Sequence, residues 1–160
     1  MTGIGYDVHP LVTNRPLVLG GVTIPHTHGL DGHSDADVLC HAIADAVLGA
    51  LGEPDIGHFF PPGDPACKDI SSLRILAKCR ELAEQASYRI TNVDATLIAE
   101  VPKILPYRDA MRANIGKALG IAPERVGIKA TTNETMGFIG RREGIAALAV
   151  AQVDLNDCPF

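Results

Sequence analysis

The most regular apolar pattern lies in 29–50, where a glycine-rich turn precedes hydrophobic residues at three- and four-residue spacing. That spacing predicts a helix that runs to about Ala50 and buries one face. We expect Ser34 to be its N-cap. Asp35 and Asp37 would then fall in the first turn, where carboxylates suit the free N–H groups and the positive end of the helix dipole.

The other segments alternate between strand-like and helix-like patterns, which predicts an α+β fold. We expect a single domain over 1–160, with a mixed β-sheet covered by helices on one face. The predicted strands are 2–10, two short strands within 17–24 that turn at Gly20 and Gly21, 88–99, 125–131 and 145–153; the further helices are 71–87 and 107–119, with Gly120 closing the second.

The last predicted strand, 145–153, is apolar on both faces, so both faces must be covered. Helices can cover one face. In a chain of 160 residues, the other face is most economically covered by another copy of the chain. The pattern therefore predicts an oligomer.

Three residues near the start of the chain form a candidate metal site. Alternation along 2–10 places Asp7 and His9 side by side on one face of the strand. Together with His41 from the helix they offer a carboxylate and two imidazoles, and three protein ligands with an open fourth position are typical of catalytic zinc. For the helix alone, the simpler interpretation is a buried hydrogen-bonded pair of His41 and Asp45, four residues apart.

Polar residues also flank the predicted helix on both sides. His33 immediately precedes Ser34, so its ring would point to the helix N-terminus, where anions bind; a histidine that only decorates a turn fits equally well. The connection 51–69 contains four prolines and three glycines, which predict an irregular lid, binding loop or disordered segment without a helix. Within it, Asp55 suits ligand hydroxyls or forms a turn, and Gly57 lets the backbone approach a ligand closely.

A third group of polar residues follows the predicted strand 125–131. Thr131, Thr132, Asn133 and Glu134 place hydroxyls, an amide and a carboxylate where this strand ends. Such a group is typical of the edge of a site in an α/β layer protein.

Composition narrows the functional classes. A net charge of −5 gives a nucleic-acid partner no electrostatic help, and no apolar run is long enough to predict a membrane-spanning helix. The first residues lack the basic-then-apolar pattern of a signal peptide, so we expect a cytoplasmic protein. The cysteines have no pairing rhythm and are predicted to be reduced thiols; they are Cys40, Cys67, Cys79 and Cys158.

In order and spacing, the polar motifs resemble those of the 2-C-methyl-D-erythritol 2,4-cyclodiphosphate synthases of the non-mevalonate isoprenoid pathway. The resemblance covers nearly the whole chain. It implies a phosphorus–oxygen lyase that cyclises 4-diphosphocytidyl-2-C-methyl-D-erythritol 2-phosphate with loss of CMP. It also implies a homotrimer whose sheets pack around the trimer axis and whose active sites lie between adjacent subunits. The motifs are Asp7-Val-His9, His33-Ser-Asp-Ala-Asp37, His41, Asp55-Ile-Gly57, Glu100-Val-Pro-Lys103, Lys129-Ala-Thr-Thr-Asn-Glu134 and Gly137-Phe-Ile-Gly-Arg141.

The resemblance implies a metal-binding role for four residues. Asp7, His9 and His41 would hold Zn²⁺, and Glu134 would hold a second divalent ion, Mg²⁺ or Mn²⁺, with the diphosphate. We add Asp45, one helical turn beyond His41, as the candidate hydrogen-bond partner that orients this ligand.

The resemblance also implies which residues contact the substrate. His33 and Thr132 would position the phosphates and stabilise them in the transition state. The expected binding residues are Ser34; Asp55, Ile56 and Gly57 for the erythritol hydroxyls; Phe60, Pro61, Pro62, Gly63 and Asp64 in a mobile loop; Ala99, Glu100, Val101, Pro102, Lys103, Ile104 and Leu105 for cytosine; and Thr131, Asn133, Phe138 and Arg141.

The chain departs from the usual family pattern at Ala36, where glycine is common, at Met136, where leucine is usual, and in Pro61-Pro62-Gly63. Two alternative functions use the same residues. A zinc hydrolase would activate a water molecule on the same three ligands. A non-catalytic trimeric module would bind nucleotides or isoprenoid diphosphates and would not need His41.

Overall fold

The computed structural model describes residues 1–156, and over that range the chain alternates long strands with helices. The strands are β1 (Thr2–Thr13), β2 (Leu17–Leu19), β3 (Val22–Ile24), β4 (His28–Leu30), β5 (Tyr88–Ile98), β6 (Val126–Thr131) and β7 (Gly144–Leu155). The helices are α1 (Val38–Leu51), α2 (Ile56–Phe59), α3 (Ser72–Gln85), α4 (Arg108–Leu119) and α5 (Gly137–Gly140), with 3₁₀ turns at Pro65–Cys67, Leu105–Tyr107 and Pro123–Arg125.

The long strands form one five-stranded sheet in the order β4-β1-β7-β5-β6. Strands β5 and β6 are parallel and the other neighbours are antiparallel, so the sheet is mixed, as predicted. The short strands β2 and β3 form the predicted hairpin through Gly20 and Gly21. Helix α1 packs on β1 and β7, and α3 and α4 pack beside it against β5 and β6. The α+β class is confirmed.

Helix α1 lies unusually close to β1. A Cβ atom added to Gly3 would stand 2.1 Å from the carbonyl oxygen of Ala46, so only glycine allows this separation. The close approach brings the side chains of α1 down to the sheet. It therefore sets the distance between His41 on the helix and the polar side chains of β1.

The start of α1 differs from the prediction. The helix begins at Val38 with Asp37 as its N-cap, whose carboxylate accepts N–H groups from Cys40, Gly20 and Gly21 at 3.1, 3.0 and 2.7 Å. Burial raises the pKa of Asp37 against the effect of these three donors. The expected cap at Ser34 was wrong because the β2–β3 hairpin supplies extra donors three residues further on.

Helix α1 is also buried on nearly all sides rather than along one stripe, because the sheet, α3 and the β2–β3 hairpin surround it. Ala36, just before the helix, adopts a φ of 56°, in the left-handed region that favours glycine. This backbone conformation gives a physical reason for the usual glycine at this position.

The sheet face opposite α1 exposes a patch of apolar side chains. Ile4 pairs with Val150 and Tyr6 pairs with Leu148 across β1 and β7, so the four side chains lie together on one face. Ile4 is 68% exposed and Tyr6 is 54% exposed. A contiguous apolar surface of this kind is typical of an interaction site.

Three segments contain more regular structure than predicted. The connection 51–69 was expected to exclude helix, but it holds the short helix α2 and a 3₁₀ turn. Strand β4 (His28–Leu30) and helix α5 (Gly137–Gly140) lie in segments for which no strand or helix was predicted. Each is an element of only three or four residues, too short for periodicity to reveal it.

The cysteines of the described residues form no disulfide. Cys40, Cys67 and Cys79 are free and buried, and Cys158 lies outside the described residues. No helix within 1–156 has the length and apolarity needed to cross a bilayer.

Candidate metal centre and active site

Asp7, His9 and His41 meet at one point beneath the N-terminal half of α1. Asp7 Oδ2 lies 2.9 Å from His9 Nε2 and 3.1 Å from His41 Nδ1, and the two ring nitrogens are 3.2 Å apart. Two of the side chains come from alternate positions of β1 and the third from the first turns of α1. Within residues 1–156, these three side chains form a group whose ligand atoms all lie within 4.8 Å of one another, close enough to hold one metal ion.

The dimensions of this triangle fit a small divalent ion. Zinc bonds of about 2.0–2.1 Å to nitrogen and carboxylate oxygen, arranged tetrahedrally, place neighbouring ligand atoms roughly 3.3 Å apart. The observed edges of 2.9–3.2 Å are slightly shorter. The three side chains and their spacing therefore suit a small divalent ion, zinc among them, held by three protein ligands.

The local electrostatics also favour a cation. Burial alone would raise the pKa of Asp7, but its contacts with His41 and His9 outweigh burial and lower the pKa to about 2. Burial likewise disfavours a charged His9, but the Asp7 carboxylate outweighs it and raises the pKa of His9. Asp7 is therefore an ionised ligand at neutral pH.

His9 has its other ring nitrogen fixed by the backbone. Its Nδ1 lies 2.6 Å from the carbonyl oxygen of Asp31, which can only accept, so Nδ1–H is the donor. In the neutral imidazole the lone pair is then on Nε2, on the side of Asp7. The imidazole is thereby presented in the form that binds a metal.

A cavity of about 220 Å³ opens beside the three ligands. Its lining includes many of the residues predicted for the metal, phosphates and erythritol: Asp7, His9, His33, Ser34, His41, Ile56, Gly57, Phe60 and Pro62. His33 Nε2 lies 3.1 Å from the carbonyl oxygen of Asp64, so the ring meets the loop rather than the start of α1. The structure thus corrects the placement of His33 next to the helix cap.

A second cavity, of about 290 Å³, brings together the segment predicted for cytosine and the end of β6. It is lined by Ala99, Glu100, Pro102, Lys103, Ile104, Leu105, Ala130, Thr131 and Thr132. Glu100 Oε1 accepts the N–H groups of Asn133 and Thr135 at 2.8 and 3.3 Å, which ties the two segments together.

The two cavities have no lining residue in common. Thr132 and Glu134 lie beside the second cavity, where the Thr132 hydroxyl donates to Glu134 Oε1 at 3.0 Å. A single copy of the chain therefore does not gather Thr132 and His41, the two ends of the predicted site, in one cavity.

A larger groove of about 550 Å³ lies between α3 and α4, and Arg74 and Lys117 are among its lining residues. Neither residue was predicted to belong to the site.

The remaining predicted residues are not among the lining residues of either cavity. Asp55 precedes α2, where its side chain makes no capping hydrogen bond. Phe138 is 41% exposed on α5, and Arg141 donates to the carboxylate of Glu143 at 2.7 Å. Val101, Pro61 and Gly63 lie between residues of the same connections that line the two cavities.

Within residues 1–156, no hydrogen bond joins Asp45 to His41. Asp45 Oδ1 accepts the N–H of Ile56 at 2.9 Å, and both ring nitrogens of His41 have other neighbours. The assignment of Asp45 as the partner of His41 was wrong, because the ring turns toward β1 and α3 rather than along its own helix.

The residues that do contact the outer nitrogen of His41 were missed. Ser72 Oγ lies 2.9 Å from His41 Nε2, and Ser34 Oγ lies 3.1 Å from it. Ser72 was predicted only as part of the helix 71–87, and Asp35, whose carboxylate accepts from it, as a first-turn carboxylate. The only signal in the sequence was a serine and an aspartate near helix starts, which is a common pattern.

Comparison with known proteins assigns the chain to one group. Residues 1–154 match the YgbB family. A 2-C-methyl-D-erythritol 2,4-cyclodiphosphate synthase from Akkermansia muciniphila is 65% identical over 154 residues, which cover 96% of this chain and 91% of that protein. A relative of the same name from Moorella thermoacetica is 57% identical over 148 residues, covering 92% and 91%.

Solved structures have the same fold. IspF from Plasmodium falciparum, in a CDP complex, superposes with a TM-score of 0.85 at 35% identity and covers 98% of this chain and 96% of that one. The bifunctional IspDF from Campylobacter jejuni gives a TM-score of 0.92 at 41% identity. That match covers 96% of this chain, which spans 42% of the length of the bifunctional protein.

Proposed function

The chain belongs to the YgbB family of 2-C-methyl-D-erythritol 2,4-cyclodiphosphate synthases, and we propose that it carries out the reaction of that family in isoprenoid biosynthesis. It converts 4-diphosphocytidyl-2-C-methyl-D-erythritol 2-phosphate to 2-C-methyl-D-erythritol 2,4-cyclodiphosphate and CMP. The observation that carries the proposal is the convergence of Asp7, His9 and His41 beside a cavity. It occurs in a chain that aligns over almost its full length with relatives named 2-C-methyl-D-erythritol 2,4-cyclodiphosphate synthase.

The reaction is an intramolecular phosphoryl transfer. An oxygen of the 2-phosphate attacks the β-phosphorus, a new P–O bond closes the ring, and the bond to the bridging oxygen breaks so that this oxygen leaves with CMP. The attacking oxygen is already ionised at neutral pH, so the main barrier is repulsion between two anions. Zn²⁺ held by Asp7, His9 and His41 would supply positive charge against the diphosphate.

The chain's own residues position the phosphates. His33 lines the cavity beside the metal ligands and can donate a hydrogen bond to a phosphate oxygen. Thr132 offers a hydroxyl for the same purpose from the end of β6. We assign Glu134, whose carboxylate lies next to Thr132, to a second divalent ion that accompanies the diphosphate.

The second cavity is the proposed cytidine site. Its walls come mostly from the loop 99–105 and from Ala130 to Thr132, so backbone groups are available to read the base. The chain contains no tryptophan and few aromatic residues, which favours recognition by hydrogen bonds over stacking. The relative from Plasmodium falciparum was solved with CDP, a ligand of the chemistry that this cavity would take.

We propose that the active protein is a homotrimer. The exposed apolar patch around Ile4 and Val150 needs a covering surface, and the two cavities need to be brought together. A neighbouring copy would meet both needs if it covered the exposed sheet face and placed its second cavity, with Thr132, beside the metal ligands. The sheets of the copies would then pack around the trimer axis.

A product assay tests the proposal. The purified chain is incubated with the cytidyl substrate and Mg²⁺, with and without a zinc chelator, and CMP and cyclodiphosphate are measured. We expect both products in equal amounts and their loss with chelator or in His41→Ala. His26→Ala, a change at a residue that lines neither cavity, should keep the activity. Formation of a linear phosphate that contains oxygen from labelled water would overturn the proposal.

The two alternative functions lack support from the comparisons, since the relatives carry the synthase name throughout. The assay separates them as well. A hydrolase incorporates water into its product, and a non-catalytic module releases no CMP. The cytoplasmic location stays a prediction.

A further inference from the structure

We propose that Asp35 and Ser72 are positioning residues that fix the tautomer of His41, so that its Nδ1 lone pair points at the metal ion. The inference rests on the proposed function only in taking the cluster of Asp7, His9 and His41 as a metal site. The role of orienting His41, which the sequence analysis assigned to Asp45, is here assigned to Asp35.

The contact between Ser72 and Asp35 determines the direction of the hydrogen bonds. Ser72 is fully buried, and its Oγ lies 2.5 Å from Asp35 Oδ1. Both oxygens of this carboxylate already accept backbone N–H groups: Oδ1 from Asp37 at 3.1 Å and Oδ2 from Ser72 at 2.9 Å. The carboxylate therefore accepts, and the single hydroxyl hydrogen of Ser72 is donated to it.

The donor in the contact between Ser72 and His41 determines which ring nitrogen of His41 carries the proton. Once its hydrogen is used, Ser72 Oγ can only accept from His41 Nε2, which lies 2.9 Å away. Nε2 therefore carries a proton, and in the neutral imidazole Nδ1 presents a lone pair to Asp7 and His9 at 3.1 and 3.2 Å. The opposite tautomer would place an N–H in the middle of the three ligand atoms and exclude a cation.

Ser34 lies near the same nitrogen but is held differently. Its Oγ is 3.1 Å from His41 Nε2 and accepts the N–H of Ala36 at 3.0 Å. Neither contact commits the hydroxyl hydrogen of Ser34 to a carboxylate, so this residue does not by itself select a tautomer. The selection comes from Asp35 through Ser72.

The backbone keeps this arrangement in place. The segment around Asp35 is bonded to the residues just before α3: Asp35 N–H donates to Ile70 O at 3.1 Å, and Asp69 N–H donates to His33 O at 2.9 Å. Asp35 also accepts the N–H of Ser72 at the start of α3, whereas the side chain of Ser71 makes no capping bond. The hydrogen bonds from Asp35 through Ser72 to His41, called the relay below, thus join the start of α3 to the candidate metal centre.

Ser72→Ala is the direct test, with Ser71→Ala as the matched control on the neighbouring, exposed serine. Zinc affinity is measured on the full chain by competition with a chromophoric chelator. The tautomer of His41 is read from imidazole ¹⁵N shifts of the metal-free protein. We expect Ser72→Ala to weaken zinc binding on the order of 10- to 100-fold and to give a mixture of tautomers, whereas Ser71→Ala matches the wild type.

The relay is overturned if folded Ser72→Ala binds zinc within about twofold of Ser71→Ala and keeps the pure Nε2–H signature. If Ser72→Ala does not fold, Ser72→Cys replaces it, because a thiol of similar size is a weak hydrogen-bond partner; the same loss of zinc affinity is expected, and unchanged affinity overturns the relay. These readouts need no substrate. Failure of the wild type to release CMP would reject the proposed function without affecting the relay.

Discussion

Gly5 of β1 and Ala42 of α1 are in backbone contact: a Cβ atom on Gly5 would stand 2.0 Å from the Ala42 carbonyl oxygen. No side-chain rotation can relieve an overlap between two backbones. Asp7 lies two residues beyond Gly5, and His41 immediately precedes Ala42. The contact therefore sets the spacing of Asp7 and His41, two of the three candidate metal ligands, as well as the packing of the helix.

Gly5→Ala is expected to lower the free energy of unfolding by about 3 kcal/mol, at the upper end of overpacking effects. It should also weaken zinc binding, because α1 must move away from β1. Urea unfolding and zinc competition measure the two effects. Gly49→Ala is the control: its nearest atom is 3.8 Å away, and alanine suits a helix better than glycine, so stability should be unchanged or higher.

If Gly5→Ala matched Gly49→Ala in both stability and zinc affinity, the close packing of α1 on β1 would not control the site.

Zinc should stabilise the metal-free protein, because the three ligands are gathered only in the folded chain. At a free zinc concentration of 100 times the dissociation constant, the gain is about 2.7 kcal/mol. For a chain of this size that raises Tm by about 5–10 °C. Differential scanning calorimetry measures the shift, which we expect to disappear in His41→Ala. A full shift in that variant would mean that zinc binds elsewhere.

The sequence predicted the cluster of Asp7, His9 and His41 because each position depends on local periodicity. Alternation along β1 puts Asp7 and His9 on the same face whatever the strand pairs with. The helical pattern places His41 among buried positions in the same way. That the two elements face each other was suggested by the chemistry of the ligands and by the family resemblance, not by the periodicity.

The start of α1 could not be predicted, because Ser34 and Asp37 are both good capping residues. The choice between them depends on Gly20 and Gly21, whose N–H groups reach Asp37 from a hairpin that lies earlier in the chain. Such a contact has no signature in the local sequence.

The partners of His41 were missed for a similar reason. Spacing pointed to Asp45, four residues away on the same helix, but Ser72 lies 31 positions along the chain and reaches the ring only through the packing of α3 on α1. Sequence spacing identifies neighbours within one helix or strand. His41, in contrast, is oriented by a side chain from another helix that packs against its own.

Asp45 should act on the substrate loop rather than on the metal. Its carboxylate holds the N–H of Ile56, the first residue of α2, next to the proposed erythritol site. Asp45→Ala is expected to leave zinc affinity within about twofold of the wild type and to raise KM several-fold, because Ile56 and Gly57 lose their anchor. Steady-state kinetics and zinc competition measure both. A loss of zinc affinity with an unchanged KM would return Asp45 to the role of orienting His41.

The separation of the two cavities predicts complementation between inactive variants. His41→Ala removes a metal ligand and Thr132→Ala removes the hydroxyl at the other cavity, so each homotrimer should be inactive. If every active site combines His41 of one copy with Thr132 of the next, co-expression produces mixed trimers in which some sites contain both residues. Random assembly leaves roughly a quarter of the sites intact.

Co-expressed His41→Ala and Thr132→Ala chains should therefore regain up to roughly a quarter of the wild-type CMP release. A double variant, with both changes in one chain, co-expressed with the wild type is the control for expression and assembly; it leaves about the same share of intact sites. Complementation fails if each copy builds a complete site from its own residues, because every site then lacks one of the two groups. Absence of recovered activity in trimers that contain both chains, shown by native mass spectrometry, would place His41 and Thr132 in the same subunit's site and remove the argument for an active site between copies.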